Sequence, residues 1–157
     1  MRESALAHIE SEAQLHADVQ AVWDDVAPRY KGRRVVFYGR SLGTGLAAAL
    51  AAQVQPDLTM LVSPYRSMVA VASQHYPWVP AALLRYPLRT DELLGRIRTP
   101  VVLIHGERDE LIPVSHSRAL QAIAPAARLV VLPGAAHGDL QEFESYLQAV
   151  SAQLKAL

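Results

Sequence analysis

The 157-residue sequence contains no cysteine, which excludes a disulfide framework and thiolate chemistry. Its 15 basic and 15 acidic residues cancel, so it lacks the positive surface of a nucleic-acid-binding protein and the polybasic patch of a membrane-surface protein. No apolar run approaches the roughly 18–20 residues of a membrane span, and the first residues lack the apolar core of a signal peptide. We therefore expect a cytoplasmic protein with no nucleic-acid partner and no transmembrane segment.

What the sequence does contain is enough apolar material for a core, because 51% of its residues are hydrophobic. The length fits one domain at most, and no internal repeat or low-complexity linker divides it. We therefore treat residues 1–157 as a single, partial domain. A proline-interrupted excursion at about residues 65–95 lies within it.

The hydrophobic pattern alternates between strand and helix signals. An amphipathic helix is predicted from Ser11, its N-cap, to about Ala27. Short, continuous apolar runs typical of strands covered on both faces follow, at 35–38, 58–62, 101–104 and 129–132. Helices are predicted between and after them, at about 43–53, 91–95, 113–123 and 138–154. This order indicates an α/β fold, with a parallel sheet of about four strands and helices on both faces.

The first strand runs directly into Gly39-Arg40-Ser41-Leu42-Gly43, and a helix follows at once. A Gly-x-Ser-x-Gly motif in this context predicts a sharp turn that exposes the serine hydroxyl. The turn is expected to exclude bulky neighbours, which explains Gly39 and Gly43. The competing interpretation is that Ser41 only caps the helix.

Two later strands also lead into loops with candidate catalytic residues. Asp109 follows the third strand and His137 follows the fourth, which gives the chain order Ser, Asp, His. Glu107 and Asp139 compete with Asp109 for the acidic role, although Asp139 is better explained as a cap of the last helix. Two further histidines are given no catalytic role: His105 is expected to be structural, and His116 solvated.

Four ordered segments carry a family resemblance. They are Tyr-Gly-Arg-Ser-Leu-Gly-Thr-Gly at 38–45, Val-Ser-Pro-Tyr-Arg-Ser-Met at 62–68, Ile-His-Gly-Glu-Arg-Asp-Glu-Leu-Ile-Pro at 104–113, and Leu-Pro-Gly-Ala-Ala-His-Gly-Asp-Leu at 132–140. From about Ser11 onward the chain resembles the C-terminal part of a serine α/β-hydrolase, of the small, cap-poor Bem46-like or ABHD13/ABHD17-like group.

The resemblance implies a function and a set of site residues. Ser41 would be the nucleophile, His137 the general base, Asp109 the acid that orients it, and the Leu42 N–H an oxyanion donor. The substrate would be a small molecule with an ester, thioester or related acyl bond, cleaved through an acyl-enzyme. The excursion is either a lid or wall of the acyl pocket, or helical structure packed on the core. Apolar residues in and near it that suit a pocket, or equally a core, are Tyr65, Met68, Trp78 and Leu111.

Cofactor chemistry is not indicated. The glycine-rich loop also resembles the dinucleotide loop of short-chain dehydrogenases, but no tyrosine has a lysine four residues later. The acidic residue expected about twenty positions on is also absent, since Val62-Ser63 stands there. No Gly-Lys-Ser/Thr follows for a P-loop, and the scattered histidines show no metal-ligand spacing. We expect no cofactor and no metal.

The chain departs from the family before the serine motif. A complete enzyme has several earlier strands and a loop that supplies a second oxyanion donor, whereas one helix precedes Ser41 here. We therefore expect half an oxyanion hole, weak or absent activity of this chain, and an exposed strand at 35–38. The alternative function is a catalytically silent module that forms homo-oligomers or binds a partner through that strand.

Overall fold

Four parallel strands form the centre of the molecule. The computed structural model describes residues 11–157, in which the strands pair in chain order as β1-β2-β3-β4. Their bounds are β1 Val36–Arg40, β2 Leu58–Val62, β3 Val101–Gly106 and β4 Arg128–Leu132. In the register, Val36 lies opposite Leu58, Thr59 opposite Val101 and Val102 opposite Arg128. The predicted α/β fold with four parallel strands is confirmed.

Six α-helices surround this sheet in the described part of the chain. Their bounds are α1 Glu12–Val26, α2 Gly43–Val54, α3 Met68–His75, α4 Thr90–Leu93, α5 Ser115–Ile123 and α6 Glu144–Lys155. Ser11 caps α1 as predicted, because its hydroxyl oxygen accepts a hydrogen bond from the Gln14 N–H. Within residues 11–157 we find no helix with the length and apolarity needed to cross a membrane.

The helices bury both faces of the sheet, which explains the continuous apolar strands. On one face, Leu61 and Leu103 pack with residues of α2 and α5, including Ala48 and Leu120. On the other face, the alternate side chains of the strands pack against α6 and against Leu140 in the turn before it; they are Leu58, Met60, Val62, Val102, Ile104 and Leu132. Since successive strand residues point to opposite faces, a strand buried on both sides must be apolar throughout.

Some predicted boundaries differ from the observed ones. The first strand extends to Arg40 and so reaches the serine, and the last helix begins at Glu144 instead of about 138. A single 3₁₀ turn, Leu140–Glu142, occupies the intervening segment. Asp139 does not cap α6 as expected, because its carboxylate accepts a hydrogen bond from the Ala136 N–H, 2.7 Å away. This local turn holds the loop that carries His137.

The excursion after β2 is built from short elements. Ser67 caps α3 through the Ala70 N–H, and the 3₁₀ turn Ala81–Leu83, α4 and the 3₁₀ turn Leu94–Arg96 follow. Part of this segment packs inward, since Val71 and Leu88 join Tyr65 in a third core cluster.

Strand β1 forms one edge of the described sheet, because it pairs there with β2 only. Helix α1 covers part of it, and the Trp23 ring meets Phe37 edge-on with 5.1 Å between ring centroids. The residues Val36–Tyr38 nevertheless remain partly or largely exposed.

His116 is buried, not solvated as expected from the sequence. Its Nδ1 accepts a hydrogen bond from the Arg66 backbone N–H, and its Nε2 lies 2.9 Å from the Gln74 side-chain oxygen. Burial lowers the pKa of this histidine from its ordinary value, with Arg66 and His105 adding to the effect. The neutral ring therefore joins α5 to the segment around α3.

This buried histidine generates a pH-dependent prediction for stability. Because the pKa of His116 is lower in the folded than in the unfolded protein, stability is fully present above the unfolded value of about 6.5. It decreases as the pH falls from there toward the folded value. Urea unfolding at pH 7.5 and 5.5 should show this loss in wild type and a smaller loss in His116→Gln. An unchanged pH dependence in His116→Gln would contradict the prediction.

Candidate active site

Ser41 sits on a tight turn between β1 and α2, as the motif predicts. Its backbone has φ of 50°, in the left-handed region that side chains rarely adopt. The turn is held by hydrogen bonds from the Ser41 N–H to the Val62 carbonyl and from the Thr44 N–H and hydroxyl to the Ser41 carbonyl. The Ser41 hydroxyl does not cap α2, whose N-cap position is taken by Leu42. The capping alternative is therefore wrong.

The two glycines of the motif have different reasons to be there. A Cβ added to Gly39 would lie 2.7 Å from both the Ala47 Cβ and the Gly43 carbonyl oxygen. A Cβ added to Gly43 would meet nothing within 4 Å. The expectation that both positions exclude bulk is correct for Gly39 and wrong for Gly43, because only Gly39 lies where strand and helix backbones approach closely.

The structure brings Ser41, His137 and Asp109 into one hydrogen-bonded series. The Ser41 Oγ lies 2.9 Å from the His137 Nε2, and the His137 Nδ1 lies 2.8 Å from the Asp109 Oδ2. A charged carboxylate can only accept hydrogen bonds, so Nδ1 carries the ring proton and Nε2 is free to accept from the serine. This arrangement allows His137 to take the Ser41 proton.

Asp109 is fully buried at its side chain but is held in the charged form. Burial acts to raise its pKa, but the neighbouring His105 side chain and hydrogen bonds from the Ile112 N–H and His137 outweigh burial and lower the pKa below its ordinary value. The Ile112 N–H donates to Oδ1 at 2.8 Å, which leaves Oδ2 for His137. The carboxylate is thus both ionised and fixed in orientation.

His105 is buried beside this carboxylate, in the structural role expected from the sequence. Its Nδ1 lies 2.7 Å from the Ser117 hydroxyl, and its Nε2 lies 2.6 Å from the Ile112 carbonyl and 3.4 Å from the Asp109 Oδ2. Because a carbonyl oxygen only accepts, Nε2 carries the proton. His105 therefore fixes the loop that presents Asp109.

The competing acidic residues lie outside this series. Glu107 is exposed, and Asp139 is bonded to its own loop. Among residues 11–157 no group of three histidine or acidic side chains is arranged to hold a metal ion.

The residues expected to bind substrate lie in different environments. Leu111 is 52% exposed in the Asp109 loop, and Trp78 is 75% exposed in the excursion, with its ring edge-on to Tyr76. Met68 is half-buried against the third core cluster. Tyr65 is fully buried, and its hydroxyl donates to the Leu42 carbonyl at 2.9 Å. Tyr65 thus stabilises the serine turn through its hydrogen bond to Leu42.

Two residues close to the site were not singled out from the sequence. Arg40, beside the serine, donates from Nη2 to the His137 carbonyl oxygen at 2.9 Å. Ser63 directly follows β2 and has φ of 48°, and its buried hydroxyl lies beside Asp109 and favours the charged carboxylate, although it falls outside hydrogen-bonding geometry. The only sequence signal for either was its place at the end of a strand.

A parallel sheet with a partly exposed serine on a strand–helix turn at its carboxyl edge is characteristic of the α/β-hydrolase class of fold. Comparison with known families agrees, because the family described as alpha/beta hydrolase domain matches residues 7–152. The chain belongs to this family.

Curated relatives are about twice as long as the matched segment. An uncharacterised protein of Mycobacterium tuberculosis is 36% identical over 139 residues, which cover 82% of this chain and 47% of the relative. The human alpha/beta hydrolase domain-containing protein 17C is 30% identical over 141 residues, covering 88% of this chain and 42% of that protein. The chain therefore spans about half the length of these relatives.

Solved structures share the fold at low sequence identity. A Pyrococcus furiosus esterase, Pf2001, matches 90% of this chain and 61% of its own, with a TM-score of 0.68 and 22% identity. An alpha/beta hydrolase from a Mar Chica lagoon metagenome, MGS-MChE2, matches 90% of this chain and 70% of its own, with a TM-score of 0.70 and 17% identity.

The different surroundings of Gly39 and Gly43 predict different losses of stability when each is replaced by alanine. Gly39→Ala should destabilise the protein by about 1–3 kcal/mol, because its methyl group overlaps the backbone of the turn. Gly43→Ala, the matched control in the same motif, should change the free energy of unfolding by less than about 0.5 kcal/mol. Urea unfolding of both variants measures the difference. Equal destabilisation would show that our account of the turn is wrong.

Proposed function

We propose that this chain belongs to a serine hydrolase that cleaves ester, thioester or related acyl bonds through an acyl-enzyme. The observation that supports this most directly is the hydrogen-bonded series from Ser41 through His137 to Asp109. A serine hydroxyl is a weak nucleophile unless a base takes its proton, and His137 has an unprotonated nitrogen 2.9 Å away.

The proposed acylation step uses these three side chains. As the Ser41 Oγ attacks the acyl carbon, its proton passes to the His137 Nε2, which then protonates the leaving oxygen or sulfur. The charge of Asp109 favours the imidazolium that forms between these two transfers. In deacylation water attacks the acyl carbon while His137 takes its proton, and His137 then returns that proton to the Ser41 Oγ as the acyl–oxygen bond breaks and the acid is released.

The carbonyl oxygen becomes negative during both steps and needs hydrogen-bond donors. The Leu42 N–H is the candidate for one of them, because it follows Ser41 at the N-terminal end of α2, where the helix dipole also favours negative charge. A single donor of this kind contributes about 10²–10³ in rate.

Apolar acyl groups suit the surface beside the serine. Leu42 and Leu111, from the loops that carry Ser41 and Asp109, are each more than half exposed. We place the acyl chain of a small-molecule substrate against these side chains, with Met68 and Trp78 of the excursion as further candidates. Tyr65 acts in this proposal by supporting the Leu42 carbonyl rather than by touching substrate.

A fluorophosphonate probe tests the proposed nucleophile, because it reacts covalently with activated serines. We expect labelling of wild type, none of Ser41→Ala, and greatly reduced labelling of His137→Ala. Asp109→Asn should slow labelling by up to about 10⁴-fold, because the ring then loses its fixed orientation. Ser145→Ala, which removes an exposed serine on α6, is the matched control. Labelling that persists in Ser41→Ala would refute the assignment, as would unlabelled, correctly folded wild type.

A second candidate function is association through the edge of β1, in which the chain acts as a silent module that pairs with a second copy. It is favoured by the exposure along Val36–Tyr38 and by the unshared edge of β1 within the described sheet. Unpaired backbone groups on such an edge can hydrogen-bond to another strand.

Light scattering coupled to size-exclusion chromatography distinguishes this second candidate. A concentration-dependent dimer that Tyr38→Lys weakens would support pairing through β1, because an exposed lysine disfavours strand addition at an edge. The exposed substitution Leu147→Lys on α6 is the control. A monomer at all concentrations tested would contradict the proposal.

A further inference from the structure

The position of His137 poses a geometric problem for the site. Ser41 follows β1 and His137 follows β4, and these strands lie at opposite edges of the described sheet. With neighbouring strands about 4.8 Å apart, the two strand axes are separated by roughly 14 Å. The loop after β4 must therefore reach back across β3 and β2 to bring the imidazole to the serine.

Contacts with β3 hold only the beginning of that loop. The Glu107 N–H donates to the Leu132 carbonyl and the Arg108 N–H to the Ala135 carbonyl. These bonds fix the loop beside Asp109, and the Asp109 carboxylate holds the His137 ring at 2.8 Å. None of these contacts comes from β1, the strand that carries the serine.

Arg40 provides a direct connection to that strand. It is the last residue of β1 and the neighbour of Ser41, and its guanidinium Nη2 donates to the His137 backbone carbonyl at 2.9 Å. The backbone of the base is thereby joined to the strand of the nucleophile through one side chain. A guanidinium is suited to this because its donors lie in a rigid plane.

A second contact on the same side of β1 reinforces this connection. Tyr38, two residues before Arg40 and thus on the same face of the strand, has its hydroxyl 2.7 Å from the Tyr146 hydroxyl on α6. Tyr146 is also close enough to Arg40 for the cation to act on its pKa. The face of β1 that carries Tyr38 and Arg40 is therefore joined to the whole segment after β4.

We propose that Arg40 is a positioning residue for the reaction at Ser41: its guanidinium sets the placement of His137 relative to the serine without touching the substrate. This inference rests on the proposed serine hydrolase function. Because Arg40 is exposed, its hydrogen bond contributes little to stability. Its effect on rate should be much larger than its effect on stability, since a displacement of about 1 Å in reacting groups can cost about 100-fold.

The experiment compares fluorophosphonate labelling rates of wild type, Arg40→Met and Arg40→Lys. We expect Arg40→Met to label about 10- to 100-fold more slowly with a nearly unchanged Tm, and Arg40→Lys to recover part of the rate, because lysine retains a donor. Arg34→Met is the matched control: it removes an exposed arginine before the other end of β1 and should label like wild type. Labelling of Arg40→Met at the wild-type rate would overturn the proposal.

A second readout separates this inference from the proposed function. The downfield proton resonance of the His137 Nδ1–H reports how firmly the ring is held against Asp109, whether or not Ser41 reacts. Arg40→Met should broaden this resonance and speed its exchange with water, whereas Arg34→Met should leave it unchanged. If wild type is not labelled, the proposed function fails, but this resonance still tests whether Arg40 positions His137. An Arg40→Met resonance identical to that of wild type would then overturn the positioning role.

Discussion

The arrangement of the site depends on a buried negative charge. The Asp109 carboxylate has no exposed surface, and an ion in such a place requires hydrogen bonds to remain charged. The Ile112 N–H and His137 supply them, and His105 lies 3.4 Å from the same carboxylate. The charge of Asp109 is therefore stabilised by groups from β3 and from the loops after β3 and β4.

The groups that stabilise the Asp109 carboxylate also connect the site to the core. His105 belongs to β3 and is fixed by Ser117 on α5, so the carboxylate is supported by a helix on one side of the sheet. His137 reaches the carboxylate from the loop before α6, which covers the other side. The two layers of helices therefore meet at Asp109. Repacking either layer would displace one of the groups that the carboxylate needs.

Much of the fold could be predicted from the sequence because the relevant signals are local. The four strands are short apolar runs, and the serine turn is marked by its glycines and by the helix that follows. Ser41, Asp109 and His137 could be selected because each lies in the turn or loop that follows a strand, and parallel strands bring such residues to one edge. The choice of Asp109 over Glu107 and Asp139 rests in addition on the family resemblance.

The differences from the sequence predictions have two physical sources. His116 is buried because Arg66 and Gln74 bond to it from the excursion, and contacts between such distant segments leave no signal in the sequence. The last helix starts late for a local reason, because Asp139 bonds back to Ala136 and closes a turn first. Tyr65 is suited equally to a pocket or a core, and only the fold brings its hydroxyl to the Leu42 carbonyl.

The strand order has a consequence for when Ser41 and His137 come together during folding. Each strand pairs with the one before it in the chain, so the sheet can grow by adding neighbours in sequence. The nucleophile follows the first strand, but the base follows the fourth. A partly folded chain in which β4 has not yet joined the described sheet therefore has Ser41 without His137 beside it.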